Sequence, residues 1–152
     1  MTIFVTGIGV VSAIGLNVAE NLHSLRSEAT GIRKSSTYNL MIGEVDLTNE
    51  QIIRALDLPE KDFSRTSLLG LMAAREACGN KINYPGVRTG LISSTSVGGL
   101  DRMEKYYFDY LADNELNRFD LMTHDHGRTT ERIAEELKIS GYIGTISTAC
   151  SS

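Results

Sequence analysis

A single cysteine in a run of small residues is the feature of this sequence that most clearly suggests chemistry. Cys150 lies in the run STACSS at residues 147–152, directly after an apolar stretch that contains Ile143 and Ile146. This order predicts a strand that ends in a tight turn. Small neighbours let a substrate carbonyl approach the sulfur, so the turn could present a thiol for nucleophilic attack. The alternative is a small buried side chain near a strand end, the commonest state of a free cysteine.

Two histidines that flank an aspartate are a second chemical candidate. His124 and His126 alternate around Asp125, and alternate side chains of an extended segment face the same way, as metal ligands must. No third ligand is nearby in the sequence, whereas zinc sites use three or four protein ligands. We therefore predict a solvated loop and no metal site. His23 lies among polar residues of a predicted helix, where we expect it at the surface.

The segment Gly7-Ile8-Gly9 suggests a third possibility, a dinucleotide site. That fingerprint needs another glycine three residues after Gly9, where this sequence has Ser12. It also needs an acidic residue about twenty residues further on, at the end of a second strand, and none is there. We therefore expect no nucleotide cofactor, and we interpret the two glycines as positions where the backbone turns under an adjacent element.

Strands and helices alternate along the chain and must position these residues. Apolar stretches rich in β-branched residues predict strands at residues 3–6, 87–94 and 143–147. Residues 31–43 are expected to form an irregular connection. Asn17 and a capping box of Thr48 and Gln51 predict the starts of two helices. Helical spacing predicts three more, over residues 64 or 65 to 78 with Gly79 as a left-handed cap, 100–111 and 130–137. This alternation predicts an α/β fold with a mainly parallel sheet covered by helices.

Three small-residue segments follow the predicted strands. They are Thr6-Gly7, residues 94–99 and residues 148–150. In open α/β sheets, ligands bind at the carboxyl ends of the strands. This shared location favours Cys150 as a site residue.

Composition excludes several classes of function. The net charge is −4 and no cluster of basic residues is present, which argues against nucleic acid as a partner. The two cysteines, Cys78 and Cys150, are far apart in the chain, so reduced thiols and a cytoplasmic location are expected. The N-terminal apolar run is short and has no basic flank, so we predict neither a signal peptide nor a membrane span.

Three motifs then carry a resemblance to a known family. They are VTGIGVVSAIG at residues 5–15, TGLI with VGG at residues 89–92 and 97–99, and STACSS at residues 147–152. On these motifs the chain resembles the N-terminal half of a β-ketoacyl-acyl carrier protein synthase, a condensing enzyme of the thiolase fold. The resemblance implies that residues 1–152 are a partial domain whose C-terminal half is absent.

The resemblance also implies site residues and a reaction. Cys150 would be the acylated nucleophile, with its own backbone N–H as one oxyanion donor, and Val97, Gly98 and Phe119 would bind substrate. The reaction would be a decarboxylative Claisen condensation of the acyl-cysteine with malonyl-acyl carrier protein. The implied partners are a carrier protein with phosphopantetheine-linked acyl groups and a second copy in a homodimer, without metal or cofactor. The family's catalytic histidines and lysine lie in the absent half, so the fragment alone is expected to be inactive.

Two other functions stay open at this point. One is a non-catalytic fragment or subunit that binds an acyl carrier protein or its missing half. The other is a thiol hydrolase, which would need a histidine placed near Cys150. A chain with only three strands would also leave residues 3–6 at an exposed sheet edge, so we expect self-association or docking with a separately supplied remainder of the protein.

Overall fold

The structure is a computed structural model that describes residues 2–36, 38–59, 63–79, 86–112 and 125–151. The chain divides into two compact units, one of Met1–Asp57 with Met72–Asn80 and one of Leu58–Leu71 with Lys81–Ser152. The described helices are α1 (Val18–Arg26), α2 (Asn49–Ala55), α3 (Arg65–Cys78), α4 (Leu100–Leu111) and α5 (His126–Glu136). The described strands are β1 (Ile32–Lys34), β2 (Met41–Gly43), β3 (Leu91–Ser94) and β4 (Ile143–Ile146). None of these helices combines the length and the apolar character needed to span a membrane.

The helix boundaries follow local capping chemistry. The Asn17 side chain accepts a hydrogen bond from the Glu20 N–H at 2.8 Å and starts α1, as predicted. Thr48 and Gln51 form the predicted capping box of α2. Helix α4 has the predicted bounds. Helix α5 begins at His126, four residues before the predicted start, because the Asp125 side chain accepts from the Gly127 N–H at 2.8 Å and caps it there.

In the first unit, the N-terminal segment packs on a helix instead of forming a strand. A Cβ added at Gly7 or at Gly9 would lie 1.8 Å from the carbonyl oxygen of Ala77 or Ala73, both in α3. This confirms that the two glycines permit a close approach to an adjacent element. The predicted strand at residues 3–6 was wrong, because a strand needs a hydrogen-bonded neighbour and the neighbour found here is a helix.

The segment at residues 31–43 also differs from the prediction. It contains an antiparallel hairpin in which Ile32, Arg33 and Lys34 pair with Gly43, Ile42 and Met41. Each strand has only three residues, too few to show the alternation that identifies a strand in a sequence. The predicted irregular connection was therefore wrong at its two ends, residues 32–34 and 41–43.

In the second unit, β3 and β4 form a parallel pair. The register aligns Leu91 with Ile143 and Ser94 with Ile146, and α5 packs against both strands. Strand β3 covers only the last four residues of the predicted strand 87–94. The parallel pair with its covering helix confirms the α/β prediction.

The core of the second unit lies between α3 and α5. Its buried apolar residues are Leu58, Phe63, Leu68, Leu71, Ile133, Ala134, Leu137 and Ile139. The two helices approach closely at Gly70, where an added Cβ would lie 2.9 Å from Cδ1 of Ile133. The Arg132 guanidinium stacks over the Phe63 ring at 5.0 Å. This packing fixes α5 under the sheet that carries the candidate site.

Candidate functional site

The carboxyl ends of β3 and β4 lie side by side. The strands are parallel and in register, and the pairing continues one step further, since the Thr95 N–H donates to the Ile146 carbonyl at 3.3 Å. Residues 94–99 and residues 147–151 therefore leave the sheet at the same edge. The structure thus brings together two of the three predicted small-residue segments. The third, Thr6-Gly7, follows no strand.

The segment after β3 is a hydrogen-bonded turn that leads into α4. The Thr95 hydroxyl accepts from the N–H groups of Val97 and Gly98, at 3.3 and 3.0 Å. Gly98 adopts a left-handed conformation with φ of +53°, which a residue with a side chain rarely adopts. Gly98 is buried, whereas Val97 is 52% exposed. The turn therefore leaves the Val97 side chain accessible at this edge.

The segment after β4 carries Cys150 on a tight turn. Residues Ala149–Ser151 form a 3₁₀ turn. The Ser151 N–H and hydroxyl donate to the Thr148 carbonyl at 3.3 and 3.0 Å. Cys150 is a free and exposed cysteine, so the alternative of a buried small side chain was wrong. The turn presents a thiol to solvent at the carboxyl end of a strand, which is where a nucleophile could meet a substrate.

The residue before the cysteine holds an unusual backbone conformation. Ala149 has φ of +55°, and for an L-residue with a Cβ this left-handed region costs about 1–2 kcal/mol. Such strained residues occur preferentially at functional sites, where the surrounding structure maintains them. Here the Ser151–Thr148 hydrogen bonds close the turn around Ala149. Glu28, Asp57 and Lys138 hold the same conformation just after helices, whereas Ala149 holds it beside an exposed thiol.

The remaining candidate residues lie elsewhere or outside the described part. Phe119 and His124 fall outside the described residues. His126 lies in the first turn of α5 and Asp125 caps that helix, so for these two residues the predicted solvated loop was wrong. His23 is exposed on α1, as predicted. Within the described ranges, no group of three or more His, Cys, Asp or Glu side chains could hold a metal ion.

Comparison with known proteins identifies the fold. The structure is similar to a solved structure titled "The ishigamide ketosynthase/chain length factor", with a TM-score of 0.76 and 23% sequence identity. The chain has a ketosynthase-like α/β fold. The similarity covers 95% of this chain and 39% of the other chain, so this chain spans well under half of that protein. No model of a protein family matches the sequence, and no curated protein matches it.

Three contributions to the site were not foreseen from the sequence. Thr95 could have been found, because a polar residue three positions before a glycine is a turn signal and Thr95 precedes Gly98 in that way. The hydrogen bond between Thr130 on α5 and Thr145 on β4 joins residues far apart in the chain and has no local signal. The left-handed Ala149 also has no signal, because alanine rarely adopts that conformation.

Proposed function

We propose that Cys150 is the acyl-accepting nucleophile of a ketosynthase-type condensing enzyme. The observation that carries this proposal is an exposed thiol at the carboxyl end of a parallel strand in a ketosynthase-like fold. The STACSS motif around the cysteine supports it. Backbone strain at Ala149 supports it as well.

The proposed reaction has two stages. The Cys150 thiolate attacks the carbonyl carbon of an acyl thioester carried on the phosphopantetheine arm of an acyl carrier protein. A carbon–sulfur bond forms at Cys150, the carbon–sulfur bond to the carrier breaks, and the carrier sulfur leaves as a thiolate that takes a proton from water. A malonyl thioester then loses carbon dioxide, and its carbanion attacks the acyl carbon on Cys150. A carbon–carbon bond forms, the thiolate is released, and the product is a β-ketoacyl thioester on the carrier.

Three further roles belong to this proposal. The Cys150 backbone N–H stabilises the oxyanion of the tetrahedral intermediate. Val97, Gly98 and Phe119 contact the acyl chain. The 52% exposure of Val97 at the same sheet edge as Cys150 is consistent with a contact of this kind. The chemistry needs no metal or cofactor, because the carrier supplies the activated thioesters.

We assign residues 1–152 to the N-terminal domain of that enzyme. The 39% coverage of the ketosynthase/chain length factor chain supports this assignment. Condensation then also needs the histidines and the lysine of a C-terminal half, in a cytoplasmic homodimer. This 152-residue chain by itself should accept an acyl group slowly and should not complete the condensation.

Acyl transfer to the full chain tests the proposal. The chain is incubated with hexanoyl-acyl carrier protein, and peptides that contain Cys150 and Cys78 are compared by mass spectrometry. Cys78 is the internal control, because it is also a free and exposed thiol. We expect hexanoylation of Cys150 in clear excess over Cys78, loss of the label in Cys150→Ala and retention of it in Cys78→Ala. Equal labelling of the two cysteines, or none, would overturn the proposal. Carrier binding without acylation would favour a non-catalytic carrier-binding subunit.

A further inference from the structure

We infer that Thr130, a residue of α5, is a positioning residue for Cys150. The inference rests on the proposed role of Cys150 as the acyl acceptor. Thr130 is fully buried, with 0% of its surface exposed. Its hydroxyl oxygen accepts a hydrogen bond from the Thr145 hydroxyl at 2.6 Å. Thr145 is the third residue of β4, the strand from which the cysteine turn leaves.

This hydrogen bond constrains β4 in a direction that the sheet does not. Among the described strands, β4 pairs only with β3, and ladder hydrogen bonds fix the register along that one edge. The Thr145–Thr130 bond points from the strand towards the helix beneath it. It therefore fixes the distance and the tilt of the carboxyl end of β4 relative to α5, because the residue that accepts the bond, Thr130, is buried.

If the carboxyl end of β4 moves, Cys150 moves with it, because the segment between them is short and hydrogen-bonded. Only four residues separate Thr145 from Cys150. One of them is Ala149 in its left-handed conformation, and another is Thr148, which accepts from Ser151. A segment closed in this way has few alternative conformations, so a shift at Thr145 moves the thiol. Misplacing a reacting group by about 1 Å can cost roughly a hundredfold in rate.

Thr130 is buried and Thr145 is exposed. Because of this difference, variants of the two residues distinguish an effect on the position of Cys150 from an effect on stability. Thr145 is exposed, so in Thr130→Val its hydroxyl can turn to water at little cost in stability. In Thr145→Val, by contrast, the buried Thr130 oxygen loses its partner, and the stability loss is larger. Replacing both residues by valine removes the unpaired group, so stability returns towards that of the wild type. The double variant still lacks the hydrogen bond that joins β4 to α5.

The experiment measures acyl transfer and melting temperature for the full chain and four variants. They are Thr130→Val, Thr145→Val, the double variant, and Thr129→Val as the matched control. Thr129 is the neighbouring buried threonine, whose hydroxyl has no partner among the described residues. We expect Thr130→Val and the double variant to lower the rate constant of Cys150 acylation by about tenfold or more. The melting temperature and the half-saturating carrier concentration should stay near the wild-type values. Thr129→Val should leave the rate unchanged.

A second measurement reports the position of Cys150 directly. Because the chain has two cysteines, labelling with ¹⁵N-cysteine gives two amide signals in an NMR spectrum. Thr130→Val should shift the Cys150 signal and leave the Cys78 signal in place. Three results would overturn the inference. The first is a wild-type acylation rate in Thr130→Val, and the second is a set of variants whose acylation rates fall only in proportion to their melting temperatures. The third is a Cys150 signal that does not shift in Thr130→Val. If wild-type Cys150 accepts no acyl group, the proposed function fails, and the NMR comparison still decides whether Thr130 positions the thiol.

Discussion

Replacement of Gly9 by alanine tests how the N-terminal segment is held against α3. The new Cβ would lie 1.8 Å from the carbonyl oxygen of Ala73, whereas ordinary contacts are about 3.5–4.0 Å. The segment must therefore move away from the helix by roughly 1.7 Å. The Val10 N–H lies next in the chain and donates to the Glu76 carboxylate at 2.9 Å. A displacement of this size takes that pair beyond hydrogen-bond distance.

The lost bond and the residual strain set the expected magnitude. A hydrogen bond to a charged group contributes about 1.5–3 kcal/mol, and overpacking costs about 1–3 kcal/mol. These effects do not add fully, because the displacement that breaks the bond also relieves the strain. We therefore expect Gly9→Ala to lower the free energy of unfolding by about 2–3 kcal/mol.

Urea denaturation followed by far-ultraviolet circular dichroism measures this change. With a slope of about 1–3 kcal/mol per molar urea, a loss of this size lowers the midpoint by roughly 0.7–3 M. Gly43→Ala is the matched control, because its Cβ would meet Ala13 Cβ at an ordinary 3.5 Å. Its stability should stay within about 0.5 kcal/mol of the wild type. An unchanged midpoint in Gly9→Ala would refute the argument that the glycine is required for close packing on α3.

Two further predictions concern the described surface. Asp57 and Lys138 follow helix ends with φ of +49° and +55°, so Asp57→Gly or Lys138→Gly should raise stability by about 1 kcal/mol. Calorimetry checks this, and a lower melting temperature in both would contradict it. Ile3, Phe4 and Val5 are each more than three quarters exposed, so the purified chain should self-associate as its concentration rises. Light scattering should show less association for Val5→Lys, and a monomer at every concentration would disprove the expectation.

Local signals predicted the helices well. Asn17, Thr48 and Gln51 were placed correctly as capping residues, because a cap depends on side chains within three positions of the backbone groups that they satisfy. The prediction of Gly79 as the C-terminal cap of α3 was also correct, since its φ of +58° is the left-handed conformation in which glycine ends a helix. Strands were harder to predict. Residues 3–6 have the composition of a strand, but strand formation depends on a partner from another part of the chain.

The candidate site was likewise predictable only where it depends on residues close together in the chain. The small-residue motif and the preceding apolar run were enough to predict a turn with Cys150 at the end of a strand. The sequence could not show that Cys150 is exposed, since exposure depends on what surrounds the turn. It also could not show the left-handed Ala149, because no property of alanine favours that conformation.

By itself, the sequence determined the helices, their caps and the chemical identity of the thiol, because these depend on residues close together in the chain. Only the tertiary structure decided that the carboxyl ends of β3 and β4 meet, and that Thr130 reaches Thr145. It also decided that Gly7 and Gly9 lie against α3. The physical reason is that each of these contacts joins segments distant in the chain, and their closure depends on burial and hydrogen bonding across the whole unit.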